Sequence, residues 1–458
     1  MRASAASAAA AAAASAQLQV RTAGPPAPWH SPAAAAAACR RAPRRGAARG
    51  TAAAAAQPRV AVVGGGFAGL GAARELADRG VDVVLVEAGR GLGGRCCSRR
   101  ATVGGASIAF DHGAQYLNPK SPAFAGALAE VEAAGALARW GADGSIGEAP
   151  STVGGAIDLG AFKGYDPSAK PMWVGTPTMS AVGRALAAAA GPRLTALTGA
   201  RAAALERGPG GGWRLRLEAR GGAAADPADV ASGEFSAVVT AMSANSTRRL
   251  LTGVVDAAAE EAARIKANVC WSLMVALARP LGLPFNGALI TAPGAHPHAA
   301  SGGGGGGGGS RAAAAPEARP CVVSWVARDS SKPGRKLPPG CAETWVVHAS
   351  PDWSNARGAG ADRAAVAEEL LAEFLAAVGQ ASPGDDVLYL EAHPWSNAYP
   401  LNPRPPQPVP GLPDCRGAFV LDKGARLAAA GDWALGPRAG DAWDSGREAA
   451  RAVAELLL

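Results

Sequence analysis

The sequence predicts an α/β protein: a Rossmann-like domain assembled from discontinuous segments, joined to a second domain built on a mixed sheet. Three observations predict it. A strand, a glycine-rich turn, a helix and a second strand succeed one another between Arg59 and Glu87. Residues 427–433 read as a short apolar strand ending in a turn, just before a terminal helix. Between them, residues 264–275 and 321–327 read as central strands of another sheet. At 458 residues the chain has room for two or three domains of about 100–200 residues each.

With 48% hydrophobic and 18% charged residues, a wholly disordered chain is excluded. Of the net charge of +8, all but one unit belongs to the N-terminal stretch. Residues 1–57 hold Arg2, Arg21, Arg40, Arg41, Arg44, Arg45 and Arg49 and no acid, which leaves the body close to neutral. A basic field suited to nucleic acid is therefore not expected. The same stretch is rich in Ala and bears Ser, so it resembles an organelle transit leader. Being Ala-rich and weakly amphipathic, it resembles plastid leaders most. The chloroplast is the expected compartment and the mitochondrion the alternative. Residues 60–70 are apolar but too short and glycine-rich to span a membrane, so no integral membrane segment is expected. Seven cysteines without close CxxC pairs fit neither a disulfide scaffold nor a zinc site, and no metal is expected. Cys96 and Cys97 read as small buried fillers.

The first βαβ unit carries the most information. Arg59-Val-Ala-Val-Val63 reads as a buried strand, 67–79 as a helix and 81–86 as a second strand closed by Glu87. Gly64, Gly66 and Gly69 lie between them. With Gly at 61 of 458 residues, three fixed glycines occur by chance about once in such a chain. The order of strand, fingerprint, helix, strand and acid is what specifies a dinucleotide site. Gly64 permits the tight turn, Gly66 lets backbone approach a pyrophosphate and Gly69 lets helix and strand pack closely. Phe67 and Ala68 open the helix, whose free N–H groups suit phosphate. Glu87, with Ala88 next to it, is placed to accept from ribose hydroxyls, and an acid there disfavours a 2′-phosphate.

The residues after Glu87 resemble one family. Gly89-Arg-Gly-Leu-Gly-Gly-Arg95 is similar to the GRxGGR stretch of the flavin amine oxidase superfamily. Asp111-His-Gly-Ala-Gln-Tyr116 resembles a segment of its renalase-like branch. The resemblance implies a non-covalent FAD, wrapped by Arg90, Gly94 and Arg95, with Gly113, Ala114, Gln115 and Tyr116 near the flavin ring. Gly431-Asp432 and the terminal helix, expected over about 445–457 with Ala442 leading into it, resemble the segment that closes the FAD site. A helix N-terminus suits the negative charge of a reduced flavin.

Further islands resemble the same branch. They include 172–180, where Thr178 stands at a usual glycine, then Cys270-Trp271-Ser-Leu-Met274, Ser331-Lys332-Pro-Gly-Arg335, 343–350 and His393-Pro-Trp395. The expected organisation is of flavin amine oxidase type. Residues 1–57 form a disordered leader, and 58–118, 174–260 and 411–458 the FAD-binding domain. Residues 119–173 and 261–410 form the substrate domain, with a disordered Gly-rich insertion at about 292–318. Residues 361–379 read as a helix packing Ala364, Ala367, Leu370, Leu371, Phe374 and Leu375.

The expected activity is that of an FAD-dependent oxidoreductase. It removes hydride from a small reduced substrate, an amine or a reduced nicotinamide derivative, with O2 as acceptor. His393, His348, Tyr116 and Trp395 are the candidate catalytic residues. His112, Gln115, Trp271 and Lys332 are further candidates for the substrate side, although Lys332 in a Gly/Pro turn reads more simply as a surface residue. His348 also reads as an ordinary strand residue. Two alternatives stand beside this: a plastid isoprenoid oxidase or desaturase, and a non-catalytic flavin-binding structural or regulatory protein. No zinc motif, P-loop or nucleophile elbow with a placed triad is present to support hydrolase or NTPase chemistry.

Overall fold

Two sheets carry the molecule. The structure, a computed structural model, describes residues 57–219, 232–292, 321–408 and 415–458. The leader up to residue 56 and the Gly-rich insertion from 293 lie outside the described residues.

The first sheet has six strands. Their order is Val420–Asp422, Leu427–Ala430, Ala237–Ala241, Arg59–Val63, Asp82–Glu87 and Leu194–Thr198. All neighbours run parallel except the edge strand Val420–Asp422. These strands are runs of Val, Ala and Leu because both faces are covered. Val60 and Val62 face the helices Phe67–Asp78 and Ala439–Ala454. Ala61 and Val63 face the helices Ala244–Leu251 and Asp256–Ala263 and the hairpin of Ala200–Arg207 with Trp213–Ala219.

The C-terminal helix lies against the fingerprint helix, backbone to backbone. A Cβ on Gly446 would stand 1.8 Å from the Ala68 carbonyl oxygen, and one on Gly71 would stand 2.5 Å from that of Trp443. Only glycine permits this approach. The helix begins at Ala439, six residues before the expected start. Asp441 accepts the Arg438 N–H at 3.1 Å and closes the first turn early.

The second sheet has seven strands, in the order Val387–Trp395, Cys270–Leu277, Glu343–Ala349, Val323–Arg328, Gly287–Thr291, Ile146–Pro150 and Lys163–Gly164. It is mixed: Gly287–Thr291 runs parallel to Ile146–Pro150 and the other pairs are antiparallel. The expected strand at 264–275 begins only at Cys270, because the preceding helix runs to its C-cap at Arg264. The helix Arg363–Ala377 covers one face, packing Val366, Leu370 and Phe374 near Trp271, Leu273 and Trp345. Ala364 is exposed and Val366 is buried in its stead. Trp271, a substrate-side candidate, belongs to this core face: it is fully buried and donates to the Gly358 carbonyl at 3.0 Å. Among the described residues no helix is long and apolar enough to cross a membrane.

Candidate functional site

The other face of the second sheet meets the first sheet's loops. The hairpin of Arg99–Val103 and Ala106–Phe110 packs Val103, Ile108 and Phe110 onto Met274, Ala276 and Val346. The chain leaving Phe110 therefore passes over the next row of that face. Register defines the row. Ser272 pairs with His348 on one side and His393 on the other, and His348 pairs with Trp325. Directly opposed residues share a face. Trp325, His348, Ser272 and His393 thus form one line across four strands.

The segment from Asp111 to Tyr116 is held on this line. Trp395 Nε1 donates to the His112 carbonyl at 2.9 Å, and His348 Nε2 lies 3.3 Å from the same oxygen. The rings of His112, His393 and Trp395 stand 4.8–5.0 Å apart. Tyr116 lies 5.5 Å from Trp325. The structure therefore brings together three of the four candidate catalytic residues, His393, His348 and Trp395, and seats the fourth, Tyr116, at the end of the row. Ser272 and Trp325 join them: Ser272 lies inside the Cys270–Met274 island, which singles out no role for it, and no motif points to Trp325. The alternation of Trp271, Ser272 and Leu273 is the available signal, since it sends Ser272 to the face opposite the core.

Burial dominates the electrostatics here. It pushes the His112 imidazole down to about 3, aided by His393 and Arg99. His348 and His393 are each pushed down to about 4, again chiefly by burial. All three are neutral at pH 7 and act as hydrogen-bonding groups, not as fixed charges. His112 Nδ1, His393 Nδ1, Ser272 Oγ and Trp325 Nε1 are buried without a hydrogen-bond partner among the described residues. Such a row of unpaired atoms marks a polar stripe enclosed between the sheet and the segment that crosses it.

The fingerprint end has the complementary geometry. Gly64 sits at φ +112°, and a Cβ on it would stand 2.3 Å from the Ala241 carbonyl oxygen. A Cβ on Gly69 would stand 1.8 Å from the Gly64 oxygen. A Cβ on Gly66, by contrast, meets nothing within 4 Å. Gly66 is the N-cap of the helix, no side chain caps it, and Phe67 and Ala68 are its first residues. This is an open cradle with free N–H donors, which fits a pyrophosphate.

Glu87 accepts from Gly65 N at 2.6 Å and Gly89 N at 2.5 Å, so its carboxylate is held at the mouth of the turn beside Ala88. Gly94, at φ +55°, brings its loop over Gly66. Arg95 turns inward and pairs with Asp432 at 2.6 Å, next to Gly431. Arg90 is exposed and does not join this cluster. Gly113 lies against the Arg95 carbonyl, 2.0 Å from where its Cβ would be, and Ala114 N donates to that oxygen at 2.9 Å. Ala442 is buried in the first turn of the C-terminal helix.

Lys332 departs from its expected place. It is 2% exposed, and its Nζ lies 2.8 Å from Asp329 Oδ1, 3.3 Å from Asp111 Oδ2 and 3.2 Å from Gln115 Oε1. The turn that carries it is folded inward by these two acids.

Comparison with known proteins agrees with this architecture. Residues 62–131 match the model of the NAD(P)-binding Rossmann-like domain. Cyclohexylamine oxidase from Brevibacterium oxydans IH-35A is similar at 14% identity with a TM-score of 0.51, covering 88% of this chain and 99% of its own. A putrescine oxidase variant is similar at 13% and 0.53, with the same coverage. Reduced UDP-galactopyranose mutase is similar at 10% and 0.54, covering 87% of this chain and 96% of its own. One architecture thus serves both oxidases and a mutase, and the site must decide the chemistry. The chain carries a Rossmann-like nucleotide-binding domain and has the fold of the flavin amine oxidases.

Proposed function

We propose that this protein is an FAD-dependent oxidoreductase that removes hydride from a small reduced substrate, with O2 as acceptor. The observation that carries the reading is one loop joining two features. Gly94 lies over the uncapped helix N-terminus at Gly66, and the carbonyl of the next residue, Arg95, accepts from Ala114 N of the segment seated on the polar row. FAD supplies the two-electron redox centre when bound.

The chain's own residues divide the remaining work. The N–H groups at Gly66, Phe67 and Ala68 hold the pyrophosphate, and Glu87 orients the ribose. Arg95 and Asp432, mutually neutralised, close the site from the C-terminal side. His348, Ser272 and His393 hydrogen-bond the substrate, and Tyr116 and Trp395 flank it. FAD is held non-covalently: Cys415 is turned to Glu448 at 3.4 Å, and burial pushes its thiol up to about 11.

The row is polar and its imidazoles are neutral, which supports an uncharged ring or amide over a cationic amine. Within the reading, a dihydronicotinamide-type substrate is therefore preferred. An apolar isoprenoid would leave Ser272, His393 and Trp325 unpaired, at about 1–3 kcal/mol each, so that alternative is not adopted. The acid-poor, Arg-bearing leader supports a chloroplast location.

Anaerobic titration of the FAD-loaded protein tests this. A reduced nicotinamide derivative should bleach the flavin band near roughly 450 nm, and air should restore it. Bleaching by simple amines alone would overturn the substrate preference. No bleaching by either class would favour the non-catalytic flavin-binding alternative.

A further inference from the structure

Asp111, Asp329, Lys332 and Arg335 form a buried quartet. Asp111 and Asp329 are fully buried, Lys332 is 2% exposed and the Arg335 side chain 6%. Lys332 contacts both acids. So does Arg335, which pairs with Asp111 Oδ2 and lies 3.3 Å from Asp329 Oδ2. Two positive and two negative groups make a neutral cluster, the condition under which such groups tolerate burial.

The quartet spans two parts of the fold. Asp111 starts the segment that crosses the polar row, and the other three lie on the turn after the strand Val323–Arg328. Further bonds fix each end. Asp111 Oδ1 accepts from Ser98 Oγ at 2.6 Å and from Met179 N at 3.0 Å. Arg335 also donates to the Pro177 carbonyl at 2.6 Å. The Lys332 ammonium stands 5.2 Å from the Trp140 ring centroid.

One bond leaves the cluster toward the site: Lys332 Nζ donates to Gln115 Oε1 at 3.2 Å. The Gln115 amide in turn donates to the Gly113 carbonyl at 3.1 Å and to that of Asp111. Gln115 therefore braces the tight segment between Asp111 and Tyr116, and Lys332 holds Gln115.

We propose that the quartet is a neutral staple across the two parts and that Lys332 is a positioning residue. Acting through Gln115, it sets the segment 111–116 against bound FAD. This rests on the reading of the site as an FAD site. A structural role alone would require the quartet but not its link to Gln115, and the two are separable.

The test uses the full chain, FAD as the probe, and three variants. Lys332→Met leaves an uncompensated buried acid and should lower the melting temperature of the apoprotein most. Lys332→Met with Asp329→Asn removes one charge of each sign and should recover much of that loss. Gln115→Leu keeps the quartet and cuts its link. The double variant and Gln115→Leu should both raise the FAD Kd by about fivefold, the scale of one lost hydrogen bond, and shift the visible flavin band. Gln115→Leu should do so while lowering the melting temperature less than Lys332→Met, since it unpairs the Asp111 and Gly113 carbonyls but leaves the quartet's charges balanced. Wild-type Kd and band in Gln115→Leu would overturn the proposal, whether or not the double variant folds. Failure of the wild-type chain to take up FAD would instead sink the cofactor reading beneath it.

Discussion

Arg95 Nη1 stands 2.6 Å from Asp432 Oδ2, an ion pair between residues 337 positions apart. Arg95 also donates to the carbonyls of Ala398, at 2.9 Å, and Asn397, at 3.3 Å. One guanidinium thus gathers the glycine-rich loop, the segment after His393 and the C-terminal turn. Asp432→Asn removes its counter-charge. Arg95 is 35% exposed, so water recovers part of the loss. The expected cost is about 1 kcal/mol by urea unfolding, with weaker FAD binding measured alongside.

The glycines of the fingerprint should separate in their effects. Gly69→Ala forces a methyl into the Gly64 carbonyl and should prevent normal folding. Gly66→Ala has open space and should leave the melting temperature within a few degrees of wild type. Its methyl occupies the pyrophosphate approach, so FAD affinity should fall at least about tenfold. Thermal unfolding with and without FAD checks both.

Acid should destabilise the protein in a defined window. His348 and His393 titrate near about 4 when folded and near the ordinary 6.5 when unfolded, and His112 lies lower still. Between these values the unfolded chain binds more protons than the folded one. Stability is therefore full above about pH 6.5 and falls as pH drops toward 4. His393→Asn should flatten the slope of melting temperature against pH across that window.

The adjacent thiols should be unreactive. Burial, helped by the Asp111 carboxylate, pushes Cys96 up to about 12 and Cys97 up to about 11. Little thiolate is present at pH 7, and thiolate is the reacting form. Iodoacetamide at pH 7 should modify neither in the native protein, as read by mass spectrometry, and both after unfolding.

The parts legible in the sequence are those whose geometry is local. Gly64, Gly66, Gly69 and Glu87 lie on one βαβ unit, so spacing alone orders them. His348 and His393 stand out as candidates, but their meeting depends on Cys270–Leu277 pairing with two partners, a register that no local pattern supplies. Ser272 is hidden for the same reason. Lys332 reads as a surface residue because a Gly/Pro turn normally faces water. Its burial requires Asp111, 221 positions away, which spacing cannot foretell. The early start of the last helix is masked by the poor helix propensity of Gly440, which the Asp441 contact to the Arg438 N–H offsets.

Whether the chain is a flavoprotein is decided by the visible absorption spectrum of the purified full-length protein after incubation with FAD and removal of unbound cofactor. The cradle at Gly66 and the polar row joined to it by the Gly94–Arg95 loop predict flavin bands near roughly 370 and 450 nm that stay with the protein and are released on denaturation. A protein that folds, as judged by cooperative unfolding, yet retains no flavin would contradict the FAD site.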